Sequence, residues 1–302
     1  MDLRPSFDVM AIPEVGGPVK LEHVERAAGL MMFWDYDTQW GADRSRLPGG
    51  PKQWGALDCV HTDHLLELHA QYDIPACFAV VGAAALPGER PYHDPKQIRR
   101  IHDAGHEVAS HSHRHEWLPG LNLAALNETL RLSKQALEDC IGGPVQSFVP
   151  PFNQPFDYAA GWSISLGERR EARSSRIDLV RLCDALGEAG YRFCRVAYRP
   201  LGQRMLEWWA GRRLDGPSRR ECIGSIVCVR LNTAGGFDGP VLTMLDRCVR
   251  RGGLLVTYAH PHSLRSGDSQ DEHHLLRFLH RVHELRRHQL LNVVLPSHLC
   301  AN

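Results

Sequence analysis

Short apolar runs alternate with longer amphipathic segments along most of the chain. Eight runs have the length of a strand, and they cover residues 29–33, 76–81, 107–110, 147–149, 192–197, 225–231, 254–259 and 292–295. Between them, apolar residues recur at helical spacing over residues 61–72, 95–104, 123–140, 177–189, 241–251 and 270–288. This alternation is typical of a parallel sheet whose strands are joined by helices. We therefore predict an α/β fold in which the sheet closes, or nearly closes, into a barrel.

The alternation continues without an interruption that would separate two domains. No internal repeat, low-complexity segment or flexible linker is evident, and barrels of this kind reach 302 residues as one unit. We predict a single domain over residues 1–302, with a core at about 29–296, an N-terminal extension at 1–28 and an insertion near the barrel mouth at 200–224.

Composition and charge exclude several classes of partner. Hydrophobic residues make up 43% of the chain and charged residues 23%, as in an ordinary soluble globular protein. The formal net charge is zero, which gives no electrostatic reason to expect a nucleic acid or a membrane surface as partner. We recognise no signal peptide, and no stretch is long and apolar enough to span a bilayer.

The cysteines indicate a reducing compartment. There are nine, which is an odd number, and no two of them form a Cys-x-x-Cys pair. Scattered cysteines of this kind are typical of reduced thiols in the cytoplasm. We therefore expect a cytoplasmic protein with neither a disulfide nor a zinc finger.

Two carboxylates directly follow the first apolar run. Asp35 and Asp37 are two residues apart, so on an extended backbone they point to the same side. Carboxylates next to a buried strand are costly without a partner. A converging pair of acids is consistent with a metal site, an acid–base pair or two loop caps.

Acids and imidazoles also follow other predicted strands. His111–His115 come after the third run, Pro150–Asn153 after the fourth, and His260 and His262 after the seventh. In a parallel barrel, the residues that follow the strands gather on one rim, where reactive groups are found. Four separate segments at one rim favour a catalytic site over coincidence.

The histidine segment carries a spacing that suits a metal ion. His111 and His115 are four residues apart, so they share a face if Ser112 begins a helical turn. With one carboxylate they form a His-His-Asp set that leaves coordination positions open, as catalytic metal sites do. His113 is a rival ligand, but its spacing places it on another face, where we expect a bystander or a residue that supports a ligand.

The order of these segments resembles the polysaccharide deacetylases, which form the NodB-homology superfamily or carbohydrate esterase family 4. The resemblance rests on Asp35–Thr38, on Gly105–His115 (GHEVASH-x-x-x-H), on a proline-rich loop and on a late histidine. Residues 72–82 are also similar to the family's second strand and its lead-in. The match extends roughly over Leu30–Leu295, and it implies a distorted (β/α) barrel of seven to eight mostly parallel strands.

The resemblance implies roles for the residues that match the family's first two motifs. Asp35 corresponds to the catalytic base, and Asp37, His111 and His115 correspond to the ligands of one divalent metal ion. Zinc is the first choice for that ion, with cobalt, nickel or iron as alternatives. Such an ion would activate water as the nucleophile.

The family's late motif implies a general acid. It falls on residues 255–260, so His260 corresponds to the acid that protonates the departing amine. His262 is the competing choice, because two residues further on an extended backbone its side chain points the same way.

The chain departs from the family pattern in its third motif. The arginine that holds the catalytic carboxylate in the family aligns with Val149, and Arg195 or Arg199 is the candidate replacement. The spacing Asp35-Tyr36-Asp37 also differs from an adjacent pair of acids. It resembles the intracellular and lipid-sugar-modifying branches of the family.

Several residues near these motifs are candidates for binding substrate: Tyr36, Trp40, Pro151, Phe152, Asn153 and His262. A backbone N–H near Phe152 is the expected oxyanion donor, because prolines have none. Trp208 and Trp209 in the insertion could stack on a sugar. A basic run could bind a diphosphate: Arg169, Arg170, Arg173 and Arg176.

The resemblance implies a metal-dependent hydrolase that removes an N-acetyl or N-formyl group. Its expected substrate is an amino sugar, a glycoconjugate, or a nucleotide- or lipid-linked sugar. One alternative is an allantoinase-like amidase that cleaves a non-sugar C–N bond on the same scaffold. Another is a pseudoenzyme that binds metal and carbohydrate without turnover. The oligomeric state is left open, with a homo-oligomer as one option.

Overall fold

The structure is a computed structural model, and it describes residues 28–44, 53–155, 177–197 and 220–300, together with Met205 and Trp209. Several predicted features lie wholly or mostly outside these residues: the N-terminal extension at 1–28, the basic run at 169–176, Arg199, Trp208 and most of the insertion at 200–224.

The described residues form one curled, mostly parallel sheet. Its strands are β1 (Ala28–Tyr36), β2 (Cys77–Val80), β3 (Glu107–Ser110), β4 (Ser147–Phe148), β5 (Phe193–Val196), β6 (Arg220–Ile223), β7 (Ile226–Arg230), β8 (Leu254–Ala259) and β9 (Leu291–Val293). The order is β6-β7-β5-β4-β3-β2-β1-β8, and β9 pairs with the start of β1. Among the described pairs only β6 and β7 are antiparallel. The predicted barrel of mostly parallel strands is confirmed, in the form of an open half-barrel.

Helices join the strands and cover the outside of the sheet. They are α1 (Thr38–Arg44), α2 (Trp54–Tyr72), α3 (Pro95–Asp103), α4 (Leu123–Ile141), α5 (Leu179–Glu188), α6 (Gly239–Arg251) and α7 (Glu272–Arg287). Asp94, Asn122 and Asp178 each cap a helix by accepting a hydrogen bond from the backbone N–H three residues on. None of the described helices combines the length and apolarity that crossing a bilayer requires.

β1 is buried on both faces, and its alternating side chains enter two different cores. Leu30 and Trp34 pack between the sheet and the helices. Met31 and Phe33 pack with residues that face the inside of the curled sheet. Because side chains alternate along a strand, Asp35 lies on the same inner face as Phe33.

A side chain takes the place of strand pairing between β7 and β8. Asn232 follows β7; its Nδ2 donates to the carbonyl of Leu254 at 2.9 Å, and its Oδ1 accepts from the N–H of Val256 at 2.9 Å. Thr233 donates to the Val256 carbonyl at 3.2 Å. These bonds satisfy peptide groups on an edge of β8 that pairs with no other described strand.

The structure contains elements that the hydrophobic pattern did not reveal. Most of β6 is exposed and carries no apolar run, and the short α1 begins directly after Asp37. α2 begins at Trp54 rather than at residue 61, because Gly55 and Asp58 interrupt its apolar periodicity. The unpredicted α1 and the unpredicted first turns of α2 both lie beside the predicted rim.

A buried hydrogen bond between Trp34 and His69 gives a test of the outer core. Trp34 Nε1 donates to His69 Nε2 at 2.8 Å, while His69 Nδ1 donates to the Ile74 carbonyl at 2.7 Å. Burial lowers the pKa of His69 to about 3, so the ring is neutral. Trp34→Phe leaves Nε2 buried without a donor, and we expect a loss of about 1–3 kcal/mol in the free energy of unfolding, measured with urea. The matched variant Trp209→Phe, at a residue 86% exposed, should change it by less than about 0.5 kcal/mol; equal losses would contradict the packing described.

Candidate active site

The carboxyl end of β1 presents two buried acids to the inside of the half-barrel. Asp35 is 3% exposed and is the second-to-last residue of β1. Asp37 is 4% exposed and lies between β1 and α1. Two carboxylates this deep and this close need compensating charge. Each of them has a different set of partners.

Asp37 meets two histidines from the segment after β3. Its Oδ1 lies 3.3 Å from His111 Nε2 and 3.5 Å from His115 Nε2. One ligand atom from each residue falls within 4.8 Å of the others, and all three residues are buried. The structure therefore brings together the three side chains that the sequence predicted as metal ligands.

The tautomer of His111 is fixed by the neighbouring strand. Its Nδ1 donates to the backbone carbonyl of Val149 at 2.7 Å, so the Nε2 lone pair faces Asp37. Metal-binding histidines commonly use one nitrogen for such a bond and the other for the ion.

The two histidines meet without sharing a helix. Residues 111–115 form a turn, in which Ser112 and His115 have left-handed φ angles of 61° and 54°. The carbonyl of Ser112 accepts from Gly82 N and from Ser133 Oγ, both at 2.9 Å. No helical turn begins at Ser112. The hydrogen-bonded turn nevertheless brings the two imidazole rings to 5.0 Å between centroids.

The polar atoms of this cluster fit a divalent metal ion. Asp37 Oδ1, which both Nε2 atoms approach, is buried with no hydrogen-bond partner among the described residues, an arrangement that is costly unless something else binds there. Burial lowers the pKa of His115 to about 4, so its ring is in the neutral form that ligates metals. Two imidazoles and one carboxylate with open positions suit zinc, cobalt, nickel or iron.

Asp35 is compensated by an arginine instead. Arg195, on β5, donates from Nη1 to Asp35 Oδ1 at 2.7 Å and from Nη2 to Oδ2 at 2.6 Å. Burial alone would raise the pKa of Asp35, but the guanidinium charge and its hydrogen bonds hold that pKa below its ordinary value. Asp35 is therefore an ionised carboxylate beside the Asp37–His111–His115 cluster.

The guanidinium itself is held in place by aromatic rings and an amide. It lies 5.1 Å from the ring centroid of Phe33 and 4.6 Å from that of Tyr258. Its Nη2 also donates to Asn153 Oδ1 at 3.3 Å, and Asn153 Nδ2 donates to the Tyr258 hydroxyl at 3.3 Å. Arg195 is 1% exposed, so this pair is shielded from screening by solvent.

Two histidines follow β8 and face the same rim. Both the backbone N–H and Nδ1 of His260 bond to Gln270 Oε1, at 2.8 and 3.0 Å. His262 Nδ1 bonds to Asp58 Oδ1 at 2.9 Å. The two imidazole centroids are 5.1 Å apart, so both rings occupy one side of the site.

Left-handed backbone is concentrated at this rim in residues that are not glycine: Thr38, Ser112, His115, Phe152 and Asn153, with φ between 51° and 61°. Such conformations are uncommon, and a β-branched residue such as Thr38 is a clear outlier. Strained residues persist where the surroundings over-determine them, and they cluster at functional sites.

The comparisons with known proteins agree with this fold. Residues 56–163 match the sequence model of the family described as polysaccharide deacetylase. A Mycobacterium smegmatis protein classed as a polysaccharide deacetylase has a crystal structure that superposes with a TM-score of 0.61 at 18% identity, covering 95% of this chain and 94% of that one.

The resemblance to the polysaccharide deacetylases is confirmed.

Other solved structures of the same family are more distant. A family 4 carbohydrate esterase from Streptomyces lividans, in complex with acetate, has 15% identity and a TM-score of 0.45, over 89% of this chain and 92% of that chain. A family 4 pseudoenzyme from Bacillus anthracis has 12% identity and a TM-score of 0.45, over 92% and 67%.

The departure from the polysaccharide deacetylase pattern at Val149 has a structural counterpart. Val149 is fully buried and contributes its carbonyl to His111. The carboxylate of Asp35 is instead paired with Arg195, one strand further along the sheet. Arg195 was one of the two candidates that the sequence suggested.

The predicted substrate-binding residues occupy different places. Phe152 lies at the rim, with its ring centroid 4.4 Å from that of His115, and Asn153 contacts Arg195. Trp40 lies under the guanidinium of Arg114 at 5.2 Å, and Pro151 is buried.

Tyr36 lies on the other side of the sheet. It follows Asp35 on an alternating strand, so its side chain enters the core beneath the helices. Its hydroxyl donates to Gln97 Oε1 at 2.6 Å. The structure does not bring Tyr36 to the rim.

Sequence reasoning missed three residues that contact the site: Asp58, Tyr258 and Gln270. Each is polar but stands alone in the sequence, without the spacing that singled out the histidines. Tyr258 had one usable signal, since its alternation with Val256 in β8 places it on the inner face.

Metal binding is the first property of the site to test. Asp37→Asn, His111→Asn and His115→Asn each remove one ligand, and we expect zinc affinity of the purified protein to fall by more than about 100-fold in isothermal titration calorimetry. Burial opposes protonation of His111, but Asp37 and Asp35 raise its pKa above the ordinary value. Zinc binding should therefore weaken as the pH falls below neutral, because protons compete for that nitrogen.

The control for these variants is His113→Asn. His113 is buried and lies between the two histidine ligands in sequence, but it does not belong to the Asp37–His111–His115 cluster. Its backbone N–H donates to Thr129 Oγ1 at 3.1 Å. Its substitution should leave zinc affinity within about threefold. Loss of binding in His113→Asn, or retention in the ligand variants, would contradict the assignment.

The Asp35–Arg195 pair predicts strong coupling in a double-mutant cycle. Arg195→Met leaves a buried carboxylate without its counter-charge, and we expect the free energy of unfolding at pH 7 to fall by about 3–5 kcal/mol. Adding Asp35→Leu should recover most of that loss, because the uncompensated charge is gone. Additive losses in the double variant would show that the two groups do not interact.

Proposed function

We propose that this chain is a metal-dependent deacetylase with one catalytic domain. It removes an N-acetyl or N-formyl group from an amino sugar, a glycoconjugate, or a nucleotide- or lipid-linked sugar. The single observation that supports this most is the ionised Asp35, held by Arg195 beside the Asp37–His111–His115 cluster without being part of it. A merely structural metal site has no use for a second buried carboxylate.

The chain's own residues suit amide hydrolysis. When bound by the three ligands, a divalent ion supplies a water of lowered pKa and polarises the acyl oxygen. Asp35 accepts a proton on a carboxylate oxygen, because Arg195 keeps it ionised and oriented. The rings of Phe33 and Tyr258 cover the guanidinium and keep bulk water from the Asp35–Arg195 pair.

The departing amine needs a proton, because an amide anion is a very poor leaving group. An imidazole after β8 can donate it, and the family resemblance assigns this role to His260. Phe152, half-buried at the rim beside His115, supplies an apolar face on which a sugar ring can stack. A cytoplasmic location and a glycan substrate are part of the same proposal.

Analysis of the released product tests this function. The purified protein loaded with zinc should release acetate from at least one member of a panel containing N-acetylglucosamine, chitin oligosaccharides and a nucleotide-linked N-acetyl sugar. Asp35→Asn should lower kcat about 10²–10⁴-fold while circular dichroism shows that it is folded. Asp139→Asn, at an exposed position on α4, serves as the matched control and should retain full activity.

The same assay separates the alternatives. Release of ammonia or a ureide from allantoin, without acetate from any sugar, would indicate an amidase for a non-sugar C–N bond. Full zinc loading without hydrolysis of any acylated compound would indicate a binding protein, and either result would overturn the proposal.

A further inference from the structure

Asp58 is a buried carboxylate that contacts two sides of the site at once. It lies in the second turn of α2 and is fully buried. Its Oδ2 accepts from the backbone N–H of Thr38 at 2.8 Å. Its Oδ1 accepts from the backbone N–H of His262 and from His262 Nδ1, both at 2.9 Å.

These two partners belong to the loops that carry the predicted machinery. Thr38 directly follows the metal-ligand candidate Asp37, at the end of β1. His262 lies in the turn that follows β8, the strand that pairs with β1 in parallel register. One carboxylate therefore ties the metal side of the site to the side that holds the imidazoles.

The contact with Thr38 supports a strained backbone. Thr38 has a φ of 56°, which is rare for a β-branched residue. The first turn of α2 packs directly against it, because a Cβ added at Gly55 would lie 2.6 Å from the carbonyl carbon of Thr38 and 2.3 Å from Gln39 N. Gly55 and Asp58 are three residues apart and share one face of α2. On that face, Gly55 leaves room for the backbone of Thr38, and Asp58 accepts a hydrogen bond from it.

The contact with His262 fixes the orientation of its ring. Burial raises the pKa of Asp58, whereas His262 opposes that rise, and two backbone N–H groups donate to its oxygens. We therefore assign Asp58 as a carboxylate, which only accepts, so that His262 Nδ1 carries a proton and Nε2 is directed away from Asp58. The ring lies between Trp54, at 3.9 Å between centroids, and His260, at 5.1 Å. The side chain is 20% exposed, so the ring is not sealed from solvent.

The two imidazoles after β8 have unequal partners. His260 is bonded to the neutral amide of Gln270, which orients the ring but adds no charge. His262 is bonded to a carboxylate, which favours the protonated ring over the neutral one. Burial opposes this, but Asp58 first, and Asp37 and Asp268 after it, raise the pKa of His262 above its ordinary value.

We propose that Asp58 is a positioning residue that holds His262, rather than His260, as the proton donor to the departing amine. The same carboxylate keeps Thr38, and through it Asp37, in the geometry that binds the metal ion. In the step, a proton moves from His262 Nε2 to the amine nitrogen as the C–N bond breaks, and His262 is left neutral. The donor role rests on the proposed deacetylase function, whereas the positioning role does not.

Three variants of the protein test the donor role by kinetics. His262→Asn should lower kcat about 10²–10⁴-fold with little change in KM and with unchanged zinc affinity, while His260→Asn should have a clearly smaller effect on kcat. Asp58→Asn should lower kcat about 10–100-fold. It should also move the alkaline limb of the kcat–pH profile to lower pH, because His262 loses the carboxylate that favours its proton. A larger loss in His260→Asn than in His262→Asn would overturn the assignment of the donor.

Two measurements on the same variants do not need turnover. In metal-free protein, ¹⁵N–¹H correlation spectra of the imidazoles should show His262 protonated at Nδ1, and Asp58→Asn should abolish that preference. Zinc affinity in calorimetry should fall about 10-fold in Asp58→Asn. Asp63→Asn is the matched control, an acid further along α2 that is paired with Arg90 and Arg100 outside the site, and it should change neither quantity.

These readouts distinguish the failure of either idea. If no substrate is turned over but Asp58→Asn still changes the His262 tautomer and the zinc affinity, the deacetylase function fails and the positioning role stands. If the tautomer and the zinc affinity of a folded Asp58→Asn protein equal those of the wild type, the positioning role is wrong whatever the activity. Thermal unfolding monitored by circular dichroism identifies any variant that fails to fold, and His262→Asn then decides the donor by itself.

Discussion

The site depends on the compensation of two carboxylates that β1 places side by side in a buried interior. Asp35 and Asp37 are separated by one residue, so each needs its own positive partner. Arg195 satisfies Asp35 with two hydrogen bonds, and the histidine pair leaves Asp37 Oδ1 ready for an ion. This division of partners gives the two acids different surroundings, which suit the roles of base and metal ligand that we propose for them.

The curled parallel sheet is what makes this division possible. Arg195 comes from β5, His111 and His115 from the turn after β3, and the acids from β1, and all of these segments meet because parallel strands end at the same edge. The backbone takes part as well: the Val149 carbonyl after β4 fixes the tautomer of His111. Side-chain identity and sheet order therefore act together, and neither alone would place these groups.

Much of this arrangement could be predicted from the sequence. Apolar runs and helical periods predicted the mostly parallel sheet. The rule that functional groups follow the strands singled out Asp35, Asp37 and the segment 111–115, and the family resemblance then implied Asp37, His111 and His115 as the metal ligands. What could not be predicted depends on packing across the sheet. The sequence offered Arg195 and Arg199 as alternatives, and only the register of β5 shows that Arg195 points inward. Asp58 lies near the start of α2, which the apolar pattern does not mark.

The most direct test of the account is an anomalous diffraction map at the zinc edge from crystals of the zinc-loaded protein. We predict one peak within about 2.0–2.2 Å of Asp37 Oδ1, His111 Nε2 and His115 Nε2, with Asp35 still paired to Arg195. A zinc ion bound by Asp35 with Arg195 displaced, or the absence of a peak at these three atoms, would contradict it.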